Sequence, residues 1–303
     1  MLAPIALFCF RRPVHLERTL SSLAANHGAR GHDLIAFCDG PRSPSDTAAV
    51  GKVRALLAEW AGRGAFRSFT VEASDSNRGL RSSILAGVSR VTSQAGAAIV
   101  VEDDLETSPW FLRYCDDGLE LYAQDDAVAS IHGYCYPVAH TLPASYFLRG
   151  ADCWGWATWR RAWERYEDDA GALLAALRER GLERAFNHGG ARDLTGMLAS
   201  ARDGHIDSWA IRWHASAFLA GMHTLYPGRS LVRNIGLDAS GTNFSGGANE
   251  WLEPDVSGER VPLERLAARE DEAAWQAIGG HFRRSLSLRS RLGRVLRRLG
   301  GRA

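Results

Sequence analysis

Three consecutive carboxylates, Glu102, Asp103 and Asp104, are the first candidates for chemistry in this sequence. They end the apolar run 97–101, which is typical of a buried strand. Ligands of open α/β sheets bind at the carboxyl ends of strands, where these acids would lie. Neighbouring carboxylates repel one another unless a cation neutralises them, and oxygen ligands suit Mg²⁺ or Mn²⁺. The triplet therefore favours a divalent-metal site; the alternative is an acidic cluster that caps a helix or loop.

Two other classes of protein also place acids after an apolar strand. A P-loop ATPase needs a glycine-rich loop that ends in Lys and Ser or Thr. The only lysine, Lys52, is followed by Val53, and Asp46 stands where the first glycine is required, so this class is excluded. A two-metal nuclease fits the chemistry, but the formal net charge of +1 and the sequence show no basic groove for a nucleic acid.

The elements that must position the triplet alternate between apolar and amphipathic stretches over the first 130 residues. This pattern predicts an α/β fold, a mostly parallel sheet with flanking helices. The predicted strands are Ile5–Phe10, Leu34–Cys38, Ser68–Glu72, Ala97–Glu102 and Val128–His132. The predicted helices are Val14–Ala25, Asp46–Ala61, Leu80–Ser93 and Pro109–Ala123, the last opened by Ser108 as cap and Pro109 as first helical residue. The pattern does not give the order of the strands.

Beyond about residue 134, turn residues, aromatic residues and short helices dominate. Helices are predicted over Thr158–Tyr166, Gly171–Arg180, Asp193–Arg202 and Asp207–Ala220. We expect an α/β subdomain over 1–133, a less regular subdomain over 134–260 and a C-terminal helical segment over 261–303.

The five cysteines lack a C-x-x-C pair, which favours reduced thiols and a cytoplasmic protein. No window of the sequence reaches the ~20 apolar residues of a membrane span.

Several short motifs follow one another along the chain. They are Phe8-Cys-Phe-Arg-Arg12-Pro13, Phe37-Cys38-Asp39-Gly40, Asn77-Arg-Gly-Leu80, the acidic triplet, Gly155-Trp156, Ile206-Asp207-Ser-Trp209 and Pro227-Gly-Arg-Ser-Leu-Val-Arg-Asn234-Ile-Gly236. In this order the chain resembles nucleotide-sugar glycosyltransferases of the GT-A fold, nearest to the N-acetylglucosaminyltransferase I type, from Ile5 to about Gly247. The resemblance implies a GT-A-like nucleotide-binding sheet over 1–133, an acceptor-binding subdomain over 134–260, a nucleoside diphosphate sugar donor (UDP-sugar favoured) and Mn²⁺ or Mg²⁺.

The resemblance also implies roles for single residues. Asp104 is the expected metal ligand and Asp103 contacts the sugar or ribose of the donor. Arg12 and Asp39 line the nucleotide pocket, with Asp39 facing the base. The expected donor-binding residues are Arg12, Asp39, Arg81, Glu102, Asp103, Trp156 and Arg233, with Arg12, Arg81 and Arg233 as candidates for the diphosphate. The alternatives are a surface arginine at position 12 and plain turn chemistry at Asp39-Gly40-Pro41.

The catalytic base is expected in a segment that reads Asp-Asp-Trp in the resembling family and Asp207-Ser208-Trp209 here. Asp207 would deprotonate the acceptor hydroxyl on the face opposite the diphosphate, which favours inversion of the anomeric carbon. The alternative is that Asp207 caps the following helix. Asp152 and Asp203 are lesser candidates for the base.

The run from Trp154 to Trp163 contains four tryptophans. Trp159 and Trp163 are four residues apart and are expected to share a helix face in the core, whereas Trp154 and Trp156 are better placed to stack on a sugar.

The segment 241–247 is rich in glycine and could close over the donor. Residues 283–303 combine eight arginines with an apolar helical stripe, which predicts peripheral contact with an anionic membrane. The alternatives are a disordered basic tail and a helix packed on a partner subunit.

Together these features predict a metal-dependent, inverting glycosyltransferase that transfers a hexosyl or N-acetylhexosaminyl group to a glycan or lipid-linked glycan in polysaccharide biosynthesis. We expect no nucleic-acid partner. An inactive carbohydrate-binding or scaffold relative is the first alternative, although such a protein is expected to lose the acidic triplet. A nucleotidyltransferase is the second, although no glycine-rich loop with a basic residue follows the first strand.

Overall fold

The computed structural model describes residues 2–238 and 250–285. Its strands are β1 (Ile5–Cys9), β2 (Asp33–Cys38), β3 (Ser68–Ala73), β4 (Ala97–Glu102), β5 (Leu105–Thr107), β6 (Val128–His132), β7 (Ser145–Arg149), β8 (Trp156–Trp159), β9 (His223–Pro227) and β10 (Val232–Asn234). Its helices are α1 (Pro13–Ala24), α2 (Thr47–Gly62), α3 (Leu80–Ala95), α4 (Phe111–Leu121), α5 (Arg160–Trp163), α6 (Ala170–Glu179), α7 (Glu183–Phe186), α8 (Leu194–Arg202), α9 (Trp209–Leu219) and α10, which covers residues 272–285.

Eight strands form one sheet in the order β3-β2-β1-β4-β8-β6-β9-β7. β3, β2, β1 and β4 are parallel to one another, and β6 is parallel to β9. β8 is antiparallel to both its neighbours, and β7 is antiparallel to β9. β5 and β10 form a separate antiparallel pair. The predicted α/β fold class is confirmed, and the carboxyl ends of the four parallel strands meet at one edge.

The sheet is covered on both faces, which explains why β1 and β4 are almost continuously apolar. One buried cluster joins the sheet to α1, α2, α4 and α10. A second joins the opposite face to α3, α5 and α9, and a third is formed among α6, α7, α8 and α9. No helix within residues 2–238 and 250–285 is both long and apolar enough to cross a membrane.

Two predicted helices are corrected by the structure. The segment 158–166 does not begin as a helix, because Trp156–Trp159 pairs as β8 between β4 and β6 and only the short α5 follows. Aromatic and β-branched side chains suit a buried strand, and the helical spacing of the tryptophans was therefore misleading. α4 begins at Phe111 and not at Pro109, since Ser108 accepts a hydrogen bond from the Trp110 N–H (3.2 Å) in a preceding turn.

Strands β5, β7, β8, β9 and β10 were not predicted. β7, β8 and β9 belong to the segment 134–260, yet they complete the sheet that begins in the segment 1–133. One continuous sheet therefore spans both predicted subdomains. The expected loop closure at 241–247 lies outside the described residues, as does all of the basic tail after Ser285.

Candidate functional site

Arg12, Asp103 and Asp104 meet at the carboxyl ends of the adjacent strands β1 and β4. Arg12 follows β1 directly before Pro13, which is the first residue of α1. Its Nη2 donates to Asp103 Oδ1 (2.5 Å) and to Asp104 Oδ2 (2.9 Å). The Phe10 N–H donates to the second oxygen of Asp103 (3.1 Å). The structure thus brings together three residues that the sequence analysis assigned to one site.

The charge state of the triplet differs from residue to residue. Burial raises the pKa of Glu102 to about 8, and the charges of Asp104 and Asp103 add to this, which favours the protonated form of Glu102. Burial also raises the pKa of Asp103, against the attraction of Arg12. Asp103 and Asp104 share a single guanidinium, so the cluster has no surplus of positive charge.

The chain that follows β10 packs directly on this cluster. The Ile235 N–H donates to the Asp104 carbonyl (2.8 Å), and the Gly236 N–H donates to the Asn234 side chain (2.8 Å). A Cβ atom on Gly236 would overlap Asp104 Oδ2 and would lie 2.7 Å from Arg12 Nη1. Only glycine therefore fits against the Arg12–Asp104 pair.

Asp39 organises the loop that leads into α3. Its carboxylate accepts from the N–H groups of Gly40 (2.9 Å), Arg78 (2.8 Å) and Gly79 (2.9 Å), and from the side-chain amide of Asn77 (2.9 Å). These four donors engage both oxygens of a side chain that is only 7% exposed. Asp39 thus attaches residues 77–79 to the end of β2, and its predicted contact with a base stays a prediction.

Arg81, in the first turn of α3, binds the predicted base. Its Nε donates to Asp207 Oδ1 (2.5 Å), and its Nη1 donates to Asp168 Oδ2 (2.5 Å). The Asp207 side chain is 62% exposed. The cap of α9 is Ser208, whose Oγ accepts from the Ile211 N–H (3.4 Å), so the alternative that Asp207 caps this helix is wrong.

Asp168 is a candidate that the sequence analysis missed. It contacts Arg81 and lies 3.8 Å from Arg212, and its side chain is 47% exposed. The signal was available, because Glu167-Asp168-Asp169 is a second run of three acids. Asp169 caps α6 by accepting from the N–H groups of Gly171 and Ala172, which leaves Asp168 as the acid of this run that contacts Arg81.

Trp156 does not lie where a sugar could stack on it. It is fully buried in β8, with ring centroids 5.6 to 5.8 Å from those of Trp163, Trp209 and Trp213. The sequence placed Trp156 just before a predicted helix, whereas it lies in a strand between two neighbouring strands, and this difference accounts for the error. Trp154 is half-buried, and its ring contacts the Tyr134 ring edge to face (4.8 Å).

The remaining candidates lie in other polar networks. Arg233 and Arg18 both pair with Glu106, at 2.5 and 2.7 Å, so the structure does not place Arg233 on the Arg12 cluster. Asp152 is held by the Tyr136 hydroxyl (2.7 Å) and the Cys153 N–H (3.0 Å). Asp203 pairs with the adjacent Arg202 (2.7 Å) at the end of α8.

The donor set fits a metal ion only in part. No group of three or more His, Cys, Asp or Glu side chains within the described ranges could hold a metal. Burial favours the protonated form of Glu102, and Asp103 is buried between Phe10 and Arg12. Asp104, 13% exposed, is the remaining oxygen donor of the triplet. With this single donor, a divalent cation would have to take most of its ligands from a bound molecule.

No protein-family profile matches this sequence, and no curated protein matches it. Among solved structures, the chain is similar to residues 1–349 of TarS from S. aureus, with a TM-score of 0.34 and 9% identity over 59% of this chain and 49% of that one. A second TarS structure gives a TM-score of 0.29 and 14% identity over 49% of this chain and 24% of that one. The chain thus spans about half the length of the first TarS structure and about a quarter of the second. At these TM-scores the similarity does not bear on function.

Proposed function

We propose that this protein is a glycosyltransferase that uses a nucleoside diphosphate sugar. The observation on which the proposal rests is the Arg12–Asp103–Asp104 cluster at the carboxyl ends of two adjacent parallel strands, with Gly236 packed against it. Open α/β sheets bind ligands at this edge. The resemblance of the ordered motifs to GT-A glycosyltransferases supports the same assignment.

The charges of the cluster define how a donor would bind. A diphosphate brings negative charge to a site whose one guanidinium is already shared by two carboxylates. A divalent cation bound to Asp104 and to the diphosphate would supply the missing positive charge and stabilise the leaving group. Arg12 orients the Asp104 carboxylate. Asp103, which Phe10 and Arg12 hold, is our proposed contact to the sugar or ribose of the donor. Mn²⁺ or Mg²⁺ and a UDP-sugar are our proposed cofactor and donor.

Asp207 is our proposed catalytic base for the acceptor hydroxyl. Its carboxylate is exposed, and Arg81 holds Oδ1, whereas within the described residues no hydrogen bond engages Oδ2, which can therefore accept a proton. Direct displacement of the diphosphate by the deprotonated hydroxyl inverts the anomeric carbon. We propose a glycan or lipid-linked glycan as acceptor, reached from the cytoplasmic side of a membrane.

The test is release of nucleoside diphosphate from a panel of nucleotide sugars, with and without Mn²⁺ or Mg²⁺. We expect slow, metal-dependent hydrolysis of one donor even without an acceptor, and loss of this activity in Asp104→Ala. Asp126→Ala is the matched control, because the Asp126 side chain is 93% exposed and its ion pair among the described residues is with Arg161 at 3.7 Å. If no nucleotide sugar is hydrolysed or bound with either metal, the proposal is wrong.

A further inference from the structure

Cys9 and Cys38 are directly opposed at the ends of β1 and β2. The two strands are parallel, and the register pairs Cys9 with Cys38 as their last residues. Both side chains lie in the same buried cluster, so they point to the same face of the sheet. Adjacent strands are about 4.8 Å apart. Disulfide-bonded cysteines have Cα atoms about 4.4 to 6.8 Å apart, and this pair is therefore within bonding range.

Each sulfur lies near a backbone carbonyl, that of Asp39 at 3.7 Å for Cys38, but the two differ in the charged groups beside them. The Cys9 thiol has one proton to donate, and its neighbours are the Phe37 carbonyl (3.6 Å) and the Cys38 sulfur. Hydrogen bonding from Cys9, together with the adjacent Arg54 guanidinium, lowers the pKa of Cys38. The Nε atom of Arg54 is buried without a hydrogen-bond partner. A thiolate at Cys38 would place a negative charge beside the Arg54 guanidinium.

The other cysteines, all within the described residues, are different. Burial raises the pKa of Cys115 and of Cys153, and it raises the pKa of Cys135 to about 11. None of these three lies opposite another cysteine in a paired strand. Cys38 is thus distinguished by a second thiol directly opposite it in the neighbouring strand.

We propose that Cys9 and Cys38 form a redox-active dithiol, with Cys38 as the thiol that reacts with peroxide and Cys9 as the resolving thiol. The Cys38 thiolate attacks one oxygen of hydrogen peroxide, the O–O bond breaks, and the leaving hydroxide takes up a proton to become water. The Cys9 sulfur then attacks the Cys38 sulfenic acid, the S–O bond breaks, and the proton of Cys9 leaves with the hydroxide as a second water. Two thiols are oxidised to one disulfide, and one peroxide is reduced to two waters.

The disulfide would join the two turns that begin the candidate site. Phe10 to Arg12 follow Cys9, and Asp39 follows Cys38 and accepts the hydrogen bonds that hold residues 77–79. The proposal does not depend on which reaction the site performs, because it concerns only the chemistry of the two thiols.

The experiment treats the folded, reduced protein with hydrogen peroxide, unfolds it, blocks the remaining thiols with N-ethylmaleimide and digests it with trypsin. Cleavage after arginine places Cys9 in the peptide 1–11 and Cys38 in the peptide 31–42, each with one cysteine. We expect these peptides to be joined after treatment and separated by dithiothreitol. Cys115→Ser is the matched control, since a buried cysteine is removed while the pair stays intact, and we expect the same joined peptides.

Two variants test the order of the steps. In Cys9→Ala the resolving thiol is absent, so we expect Cys38 to stop at a sulfenic acid that dimedone labels; in Cys38→Ser we expect no dimedone label on Cys9. Circular dichroism shows that each variant is folded before it is used. If the peptides 1–11 and 31–42 stay separate in the folded wild-type protein while Cys153 is oxidised, or if dimedone labels Cys9 in Cys38→Ser, the proposal is wrong.

Discussion

Arg12 contacts both aspartates of the candidate site, and Asp104 is the one we expect to bind metal. We predict that Asp104→Ala abolishes the metal-dependent part of nucleoside diphosphate binding, because Arg12 alone cannot replace a divalent cation beside two phosphates. Calorimetry with UDP and Mn²⁺, with and without chelator, measures this. The metal assignment is wrong if affinity is the same in Asp104→Ala, in the wild-type protein and in the presence of chelator.

Asp207 and Asp168, which both pair with Arg81, allow the catalytic step to be tested separately from donor binding. We predict that Asp207→Asn lowers the transfer rate by about a hundredfold or more while affinity for the nucleoside diphosphate stays unchanged, since a general base acts in the transition state. Asp168→Asn is the matched control on the same arginine. A larger loss of rate in Asp168→Asn than in Asp207→Asn would transfer the role of base to Asp168.

Glu102 makes folding stability depend on pH. Its pKa in the unfolded chain is near its ordinary value of 4.5 but is about 8 in the folded protein. Between pH 4.5 and about 8 the folded protein therefore keeps a proton on Glu102 that the unfolded chain has released. The free energy of unfolding falls as pH rises through this range. We predict that Glu102→Gln raises Tm relative to the wild-type protein at pH 8 and has a smaller effect at pH 5. Thermal unfolding in chelator at both pH values measures this, and an equal difference at both would contradict it.

At the scale of elements, the loop between β3 and α3 depends on one side chain. We predict that Asp39→Ala destabilises the protein by about 2 kcal/mol, because the N–H groups of Arg78 and Gly79 lose their acceptor. Urea unfolding measures the change. Asp75→Ala is the control, since Asp75 is exposed on the same loop. Equal stability of both variants would show that water replaces the Asp39 carboxylate without cost.

β8 brings residues from the second half of the chain to the edge of the sheet where the Arg12–Asp103–Asp104 cluster lies. It runs antiparallel between β4 and β6, and residues 153–155, which precede it, therefore lie at the same edge as the carboxyl end of β4. Trp156 secures the strand by packing against Trp163, Trp209 and Trp213. The tryptophan cluster thus attaches α5 and α9, and with α9 the position of Asp207, to the sheet.

At the scale of the whole molecule, the basic tail tests whether the protein meets a membrane. The apolar positions Leu288, Leu292, Val295, Leu296 and Leu299 recur at helical spacing among arginines, each of which would contribute about 1 kcal/mol near an anionic leaflet. We predict that the intact protein floats with anionic liposomes at low salt and that a protein truncated after Ser285 does not. Neutral liposomes are the control. Equal recovery of both proteins would contradict membrane contact through the tail.

The sequence by itself determined the α/β class and the first half of the sheet. The strands Ala97–Glu102 and Val128–His132 were predicted to the residue, because a strand buried on both faces is a continuous apolar run that few other structures tolerate. The positions of Arg12, Asp39 and the acidic triplet at strand ends followed from the same pattern. Their convergence was predictable because parallel strands end at a common edge.

Only the tertiary structure decided which of these side chains pair and which are buried. Helical spacing of Trp159 and Trp163 was compatible with a helix, and the sheet overrode it by pairing Trp156–Trp159 between two strands. Arg81, Asp168 and Asp207 lie far apart in sequence, and their ion pairs require α3 and α9 to pack together. The opposition of Cys9 to Cys38 depends on strand order and register, which no local pattern specifies because they arise from contacts between distant segments.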